Sequence, residues 1–476
     1  MLAKLATFTV FFFATGLWAV SGNSKTNDFI MEELPSSAAP GIAYALVDGA
    51  GVSAQGYGET LKGSGEAVTA DTLFRIGSVT KSFTALAVMQ LVEDGAVKLE
   101  NPVRMYLAGF TGEHSREITV RQLLDHTSGF STVQGNASHG NGDLTRLELT
   151  DYANQLGYVG PANTPGKAWE YSNANYQILG ALVEEVSGST YPEYIRARIF
   201  EPLGMDDSLV AGESPSAGAA TGHTPWFGGV RPYVTGEGRA IDAPAGGIIS
   251  SARDMGQYLA MWMNGQDDVV SASSKRAMWT SSDPASSRYG LGWSIDPEQG
   301  SVYHTGLVPG FETLASFVPE TGRGVVIMVN ANSGLGFSDT WNLIGGVASR
   351  SMGLPSASDG ARWGPKMAYL SIAFLPPLFV LMAIVSWRRR SELRSKRSTK
   401  AGELSLWLPL LGMVGLAWFL TIVLPGMFGG SLSTLLLYQP DFALCLVAAS
   451  IAAPAWALLR LAIVFSGTAA RHVSVQ

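Results

Sequence analysis

The chain has 476 residues, 46% hydrophobic and only 15% charged, with a formal net charge of −7. Residues 1–365 carry 22 Lys/Arg against 36 Asp/Glu and residues 366–476 carry 10 against 3; so acidic a larger part excludes nucleic acid as a partner, because phosphate binding needs clustered cations. A single cysteine, Cys445, excludes an intrachain disulfide and any cysteine-based zinc cluster.

The N-terminus, MLAKLATFTVFFFATGLWAVSG, sets Lys4 before an apolar stretch from Leu5 to Trp18 and closes on the small-x-small sequence Ala19-Val20-Ser21. That is the pattern of a signal peptide over residues 1–21, with an uncleaved anchor as the alternative; in either case the chain after it leaves the cytoplasm. After a polar leader, GIAYALVDGAGVSAQGYGE gives two β-like runs joined at Asp48-Gly49, a hairpin signal.

The stretch RIGSVTKSFTALAVMQLVEDG, residues 75–95, carries the first chemical signal. Residues three apart on a helix share a face, so Ser78 and Lys81 present hydroxyl and ammonium side by side. The run after them is apolar on nearly all faces, which predicts a buried helix ending at Gly95. Burial destabilises an ammonium relative to the amine, lowering its pKa toward the range where it accepts a proton. A serine hydroxyl becomes a useful nucleophile when such a base adjoins it.

Further along, PGKAWEYSNANYQILG places Tyr171 and Asn173 two apart in a polar loop before a helix. A phenol held near a lysine is expected to have a lowered pKa and to shuttle a proton, while Asn173 hydrogen-bonds the lysine or a substrate carbonyl. The plainer alternative makes Tyr171 a half-buried aromatic and Asn173 an N-cap. Helical segments NYQILGALVEEVSG and TYPEYIRARIFEPLGM follow, then residues 212–245, whose Gly, Pro, Ala and Ser content reads as a long loop. In YHTGLVPGF, His304-Thr305-Gly306 is expected on a strand; the glycine permits close backbone approach, and the N–H of Leu307 can face an oxyanion. The segment ETLASFVPETGRGVVIMVNAN repeats the hairpin plan around a Pro319–Gly322 turn. Strands at both ends enclosing helices predict one antiparallel sheet flanked by helices, an α/β arrangement with an inserted all-helical lobe.

Three apolar runs of spanning length close the chain, at about 367–387, 404–424 and 442–465. Between the first two, RRRSELRSKRSTK holds seven Lys/Arg and one Glu, which the positive-inside rule assigns to the cytoplasm. The uncharged loop Pro425–Pro440 is then outside, and Arg460 and Arg471 mark a cytoplasmic end. The expected organisation is residues 1–21 as signal peptide, 22–355 as exported domain and 366–476 as membrane domain. That makes a multi-pass protein of the cytoplasmic (inner) membrane, with its large domain on the periplasmic or extracellular side.

Ser78-x-x-Lys81, Tyr171-Ser172-Asn173 and His304-Thr305-Gly306, in this order, resemble the active-site serine penicillin-recognising family: penicillin-binding proteins and, most closely, class C β-lactamases with their esterase and D-peptidase relatives. The resemblance extends over residues 38–350 and takes in ITVRQLLDHTSGF, IFEPLGMDDS, PAGGIISSARDM and YGLGW. It implies a β-lactamase/transpeptidase-like fold, with Ser78 the acylated nucleophile and Lys81 and Tyr171 its proton partners, the first base left open between them. Asn173 would orient lysine and substrate amide; the N–H groups of Ser78 and Leu307 would form the oxyanion hole beside His304, Thr305 and Gly306. His126 would be a packed turn residue. One departure stands out: where the family signature has a lysine, this chain has His304, mostly neutral at pH 7, so the clamp on a substrate carboxylate weakens.

The sequence therefore reads as a membrane-anchored exported serine hydrolase. Its expected substrates are D-amino-acid-containing or N-acylated peptides, with ester or β-lactam hydrolysis as alternatives and a β-lactam sensor without turnover as the reading of another class. The architecture is similar to inner-membrane peptidases of the colibactin-maturation type. No cofactor or metal is expected, since the six histidines are scattered without a His-Glu-x-x-His pattern. The sequence leaves the oligomeric state undetermined.

Overall fold

The strand Gly41–Asp48 reads GIAYALVD, and its side chains divide by parity: Ala43, Ala45 and Val47 join one apolar core, Ile42 and Tyr44 another. A period of two with both faces buried is what a strand needs inside a layered α/β fold. The computed structural model describes residues 24–49, 51–139, 144, 147–213, 218–233, 238–281, 283–354 and 363–466. Residues 1–21, expected as a signal peptide, lie outside the described residues, as does most of the stretch between the two expected domains.

In chain order the strands are β1 (Gly41–Asp48), β2 (Gly51–Gly58), β3 (Phe74–Arg75), β4 (Leu209–Val210), β5 (Gly222–Trp226), β6 (Gly229–Tyr233), β7 (Ile248–Ser250), β8 (Ser294–Asp296), β9 (Ser301–Val308), β10 (Phe311–Val318) and β11 (Arg323–Val329). The large sheet runs β2-β1-β11-β10-β9-β8, antiparallel throughout, with Ile42 opposite Val329 and Leu314 opposite Thr305. First and last strands of the domain thus complete one sheet, as the two hairpin signals predict. A smaller sheet, β3-β7-β4, leads directly into the site.

The principal helices are α1 (24–33), α2 (Thr80–Glu93), α3 (Leu149–Val159), α4 (Asn173–Ser187), α5 (Ala252–Met263) and α6 (Thr340–Met352). Met255, Leu259 and Trp262 of α5 share a core with Ala43, Ala45 and Val326, while Ile30 of α1 and Leu343, Ile344 and Val347 of α6 share the core with Ile42, Tyr44 and Ile327. The sheet lies between two helical layers. Helix α2 belongs to the lobe inserted between β2 and β8, and every residue from Thr80 to Leu91 is buried. It ends at Asp94, followed by Gly95 at φ +75°, the left-handed position that a glycine fills without a Cβ penalty.

The stretch expected as a loop over residues 212–245 contains the hairpin β5–β6 instead. Two features hide it in the sequence. Pro225 and Pro232 sit within its strands, which a two-stranded ribbon tolerates wherever the missing N–H would have faced outward. Its two turn residues, Phe227 at φ +41° and Gly228 at φ +93°, form a left-handed turn without the usual Asn-Gly or Asp-Gly pair.

The chain divides into two compact units, residues 1–359 and 360–476. In the second, α7 (Trp363–Arg388), α8 (Lys400–Met427) and α9 (Pro440–Phe465) are each long and apolar enough to cross a membrane, with mean hydropathy of 2.2, 2.1 and 2.1. Leu406 on α8 packs with Leu461, Ile463 and Val464 on α9, and Trp456 Nε1 donates to Ser386 Oγ at 3.1 Å. Large apolar side chains such as Leu411, Ile422 and Ile451 remain exposed, as surfaces that face lipid do.

Candidate active site

Ser78 sits in a one-turn 3₁₀ helix, Gly77–Val79, that runs straight into α2. The sequence places Ser78 and Lys81 on one helix; the actual turn is tighter at the serine, and the two side chains meet across the junction. Lys81 Nζ lies 3.0 Å from Ser78 Oγ, 2.7 Å from Asn173 Oδ1 and 2.6 Å from the Ala245 carbonyl oxygen. The Lys81 side chain is fully buried, and burial drives its pKa well below the ordinary lysine value, a fall that the negative charge of Asp242 partly opposes.

The Ala245 contact arises from polar residues on an otherwise apolar helix. Thr80 Oγ1 accepts from the Ile248 N–H at 3.1 Å, and Thr84 Oγ1 donates to the Pro244 carbonyl at 2.7 Å. Together they hold the short turn Ala243–Gly246 against α2, so that the next carbonyl faces the lysine. Sequence reasoning assigned no role to this turn, since a backbone carbonyl has no residue type to announce it.

Asn173 is the first residue of α4, and the N-cap is Ser172. That frees the Asn173 side chain to accept from Lys81 and to donate from Nδ2 to Asn136 Oδ1 at 2.9 Å. Tyr171 hydrogen-bonds Ser78, and its ring centroid is 5.0 Å from Lys81 Nζ. Burial pushes the phenol up, and the bond to Ser78 only moderates this. The expectation of a lowered phenol pKa is therefore corrected: beside a buried lysine that itself favours the neutral amine, desolvation decides.

The His126 ring lies 4.5 Å from the Tyr171 ring, tilted at 39° to it, and its Nδ1 accepts the Ser172 N–H at 3.2 Å. It adopts φ +62°, an uncommon conformation for a non-glycine residue. The contact anchors the Tyr171–Asn173 segment from behind. Burial lowers the His126 pKa strongly, with Lys81 and His304 adding to the effect.

On the facing wall, His304, Thr305, Gly306 and Leu307 lie on β9. A Cβ added to Gly306 would fall 1.9 Å from the Ile76 carbonyl oxygen, and one added to Gly77 would fall 2.7 Å from Leu307 N. Only two glycines let these backbones approach so closely, which brings the Leu307 amide beside the Ser78 turn. Gly306→Ala is expected to lower stability by about 1–3 kcal/mol, read by thermal unfolding of the full chain, because the atom it strikes is backbone. Gly345→Ala, with open space around its Cβ inside α6, is the control, expected to hold or slightly raise stability.

His304 is buried, with Nδ1 2.7 Å from the Thr305 carbonyl and Nε2 3.0 Å from the Tyr289 hydroxyl. Burial holds its pKa down to about 3, and any charge Lys81 carries presses the same way. Tyr289 had no assigned role in the sequence beyond its place in YGLGW. Among the described residues no three His, Cys, Asp or Glu side chains converge to hold a metal. An alcohol between a phenol and a buried amine, facing a backbone N–H wall, is an arrangement able to form and hydrolyse an acyl ester.

A family model described as Beta-lactamase matches residues 27–347. Among curated proteins, Protein flp of Staphylococcus aureus (strain MRSA252) is 26% identical over 321 residues, 65% of this chain and 63% of Flp. Unguisins hydrolase ungD' of Aspergillus campestris is 28% identical over 353 residues, 67% of this chain and 64% of that protein. The matches thus span under two thirds of these relatives' length. Among solved structures, the octameric penicillin-binding protein homologue from Pyrococcus abyssi is similar at TM-score 0.56 and 29% identity, covering 64% of this chain and 73% of that one. The D-amino acid amidase from Ochrobactrum anthropi SV3, complexed with L-phenylalanine amide, is similar at TM-score 0.58 and 25% identity, covering 66% and 92%.

Proposed function

Because the chain belongs to the β-lactamase family of serine hydrolases, we propose that it is a membrane-anchored amidase or peptidase acting on D-amino-acid-containing or N-acylated peptides through an acyl-enzyme on Ser78. The observation that carries this reading is the buried Lys81 with its three oxygen partners. An ammonium would donate to all three. A neutral amine has two protons and a lone pair: it donates to Asn173 Oδ1 and the Ala245 carbonyl, which can only accept, and takes the Ser78 hydroxyl proton on its lone pair. Lys81 is then the first base. Tyr171, kept a neutral phenol by burial, returns the proton to the leaving nitrogen, and Lys81 replenishes it. The N–H groups of Ser78 and Leu307 receive the oxyanion.

The amide preference draws on the names of two relatives, an amidase and a hydrolase of unguisins. In the proposed topology α7, α8 and α9 cross the cytoplasmic membrane, with the basic loop 388–400 inside and the hydrolase unit on the far side. A hydrolysis screen of the purified full chain over N-acyl-D-amino-acid amides, p-nitrophenyl esters and nitrocefin tests the reading. Turnover of the amides is expected; turnover confined to nitrocefin, or to the esters, would replace it with a β-lactamase or an esterase.

A further inference from the structure

Among the described residues, Arg460 on α9 is a charge without a counter-charge. It lies five positions before Phe465, the last residue of that helix, and is only 8% exposed. A helix of 26 residues is about 39 Å long, against an apolar layer of about 30 Å. Centred on that layer, it sets Arg460 just inside the boundary, with its side chain in reach of the headgroups. An ionised side chain at that depth needs a partner. The protein supplies little: Nη2 makes one long bond, 3.5 Å, to the Ser405 carbonyl oxygen, and the guanidinium carbon lies 5.0 Å from the Trp456 ring. The nearby acids do not serve it. Glu392 reaches Arg389 at 3.9 Å, Glu403 in the first turn of α8 makes no ion pair, and residues 467–476 contain no Asp or Glu.

Two more arginines meet the same helix end. Leu393, on the short helix Arg390–Ser395, packs with Leu406 of α8 and with Leu461, Ile463 and Val464 of α9, which folds the basic loop back onto α9. From there Arg394 Nε donates to the Ile463 carbonyl at 3.0 Å, and the Arg397 guanidinium lies 4.9 Å from the Phe465 ring. Positions 460 and 463 are three apart and share a face of α9. Capping of a helix C-terminus by a cation accounts for each contact alone. It does not account for three guanidiniums around one helix end with no carboxylate among them, since like charges repel until an anion lies between them.

We propose that Arg394, Arg397 and Arg460 bind the phosphate of an anionic phospholipid where the end of α9 meets the start of α8. Arg394 and Arg397 are exposed and keep most of their N–H donors for it, and the guanidinium fork matches a pair of phosphate oxygens. Arg460 supplies charge from beneath. Exposed Leu404 and Trp407, the latter's ring 6.3 Å from that of Phe465, give the acyl chains an apolar wall. A zwitterionic lipid would bring its own cation to this cluster and bind less well. The site goes beyond the hydrolase reading and rests only on these helices crossing a membrane.

The test uses the full chain in detergent, with phosphatidylglycerol or phosphatidylcholine added, and counts retained lipids by native mass spectrometry. About one phosphatidylglycerol per chain is expected to stay bound, about tenfold or more tighter than phosphatidylcholine. Arg394→Gln, Arg397→Gln and Arg460→Gln are each expected to lose most of that preference. Arg388→Gln removes the same charge from the end of α7, away from the cluster, and is expected to keep it. Arg397 is exposed, so its variant decides the matter even where Arg460→Gln disturbs helix packing. Equal retention of the two lipids overturns the proposal, and so does an equal loss in Arg388→Gln, which would make the loop a general cationic surface. Inorganic phosphate binding as tightly as the lipid overturns it too. A full chain that stays soluble without detergent would instead sink the membrane reading beneath the site.

Discussion

Ser78→Ala is expected to lower kcat/KM by about 10⁴-fold or more on any substrate the enzyme turns over, and to abolish labelling by a fluorophosphonate probe. The size reflects removal of the only atom on which an acyl-enzyme can form; binding and the backbone wall are all that remain. The loss will not come from unfolding. Ser78 is only half-buried, and Lys81 keeps its bonds to Asn173 Oδ1 and the Ala245 carbonyl after the hydroxyl is gone. One hydrogen-bonding group removed at such a site is worth about 1 kcal/mol, a small change in melting temperature for a domain of this size. Adduct mapping by mass spectrometry decides the matter. A variant that melts like the wild type and is still labelled would move the nucleophile elsewhere.

The parts of this site that could be read from the sequence are those encoded over a few residues. Ser78 and Lys81 are three apart and Tyr171 and Asn173 two apart, so local geometry brings each pair together before any tertiary contact is known. The two terminal hairpins could be read for the same reason, each being an alternating run, a turn and a second run. Features that could not be read depend on segments far apart in the chain. The Ala245 carbonyl reaches Lys81 across 164 positions, and the contact is made by backbone, which any residue carries. Tyr289 and His304 are close in sequence, yet their bond needs the chain between them to reverse through β8. The direction of the Tyr171 pKa is not legible in the motif, because proximity to lysine shows there, whereas the depth at which the pair is buried is a property of the whole fold. Fold class survives such errors because parity and hairpin signals are redundant along the chain; a proton inventory does not.

Lys81→Met is expected to cut kcat/KM by about 10³-fold or more while leaving the protein folded, since methionine fills most of the same buried channel without charge. Activity in the wild type requires the unprotonated amine, so the rate should fall as pH drops through the pKa of Lys81. An ordinary lysine would place that acid limb at 10.5; burial places it well below, in the direction that allows turnover near neutrality. Asp242 works against this by favouring the ammonium, so Asp242→Asn is expected to move the limb to still lower pH. The same burial makes folding stability depend on pH. Between the folded and unfolded pKa values of Lys81 the unfolded chain holds the extra proton, so stability rises with pH across that window. Lys81→Met should remove this slope together with the acid limb, and the joint disappearance assigns both to one group. A wild-type pH–rate profile with its acid limb at the ordinary lysine position would show a solvated ammonium that cannot take the serine proton, and the relay through Lys81 would have to be abandoned.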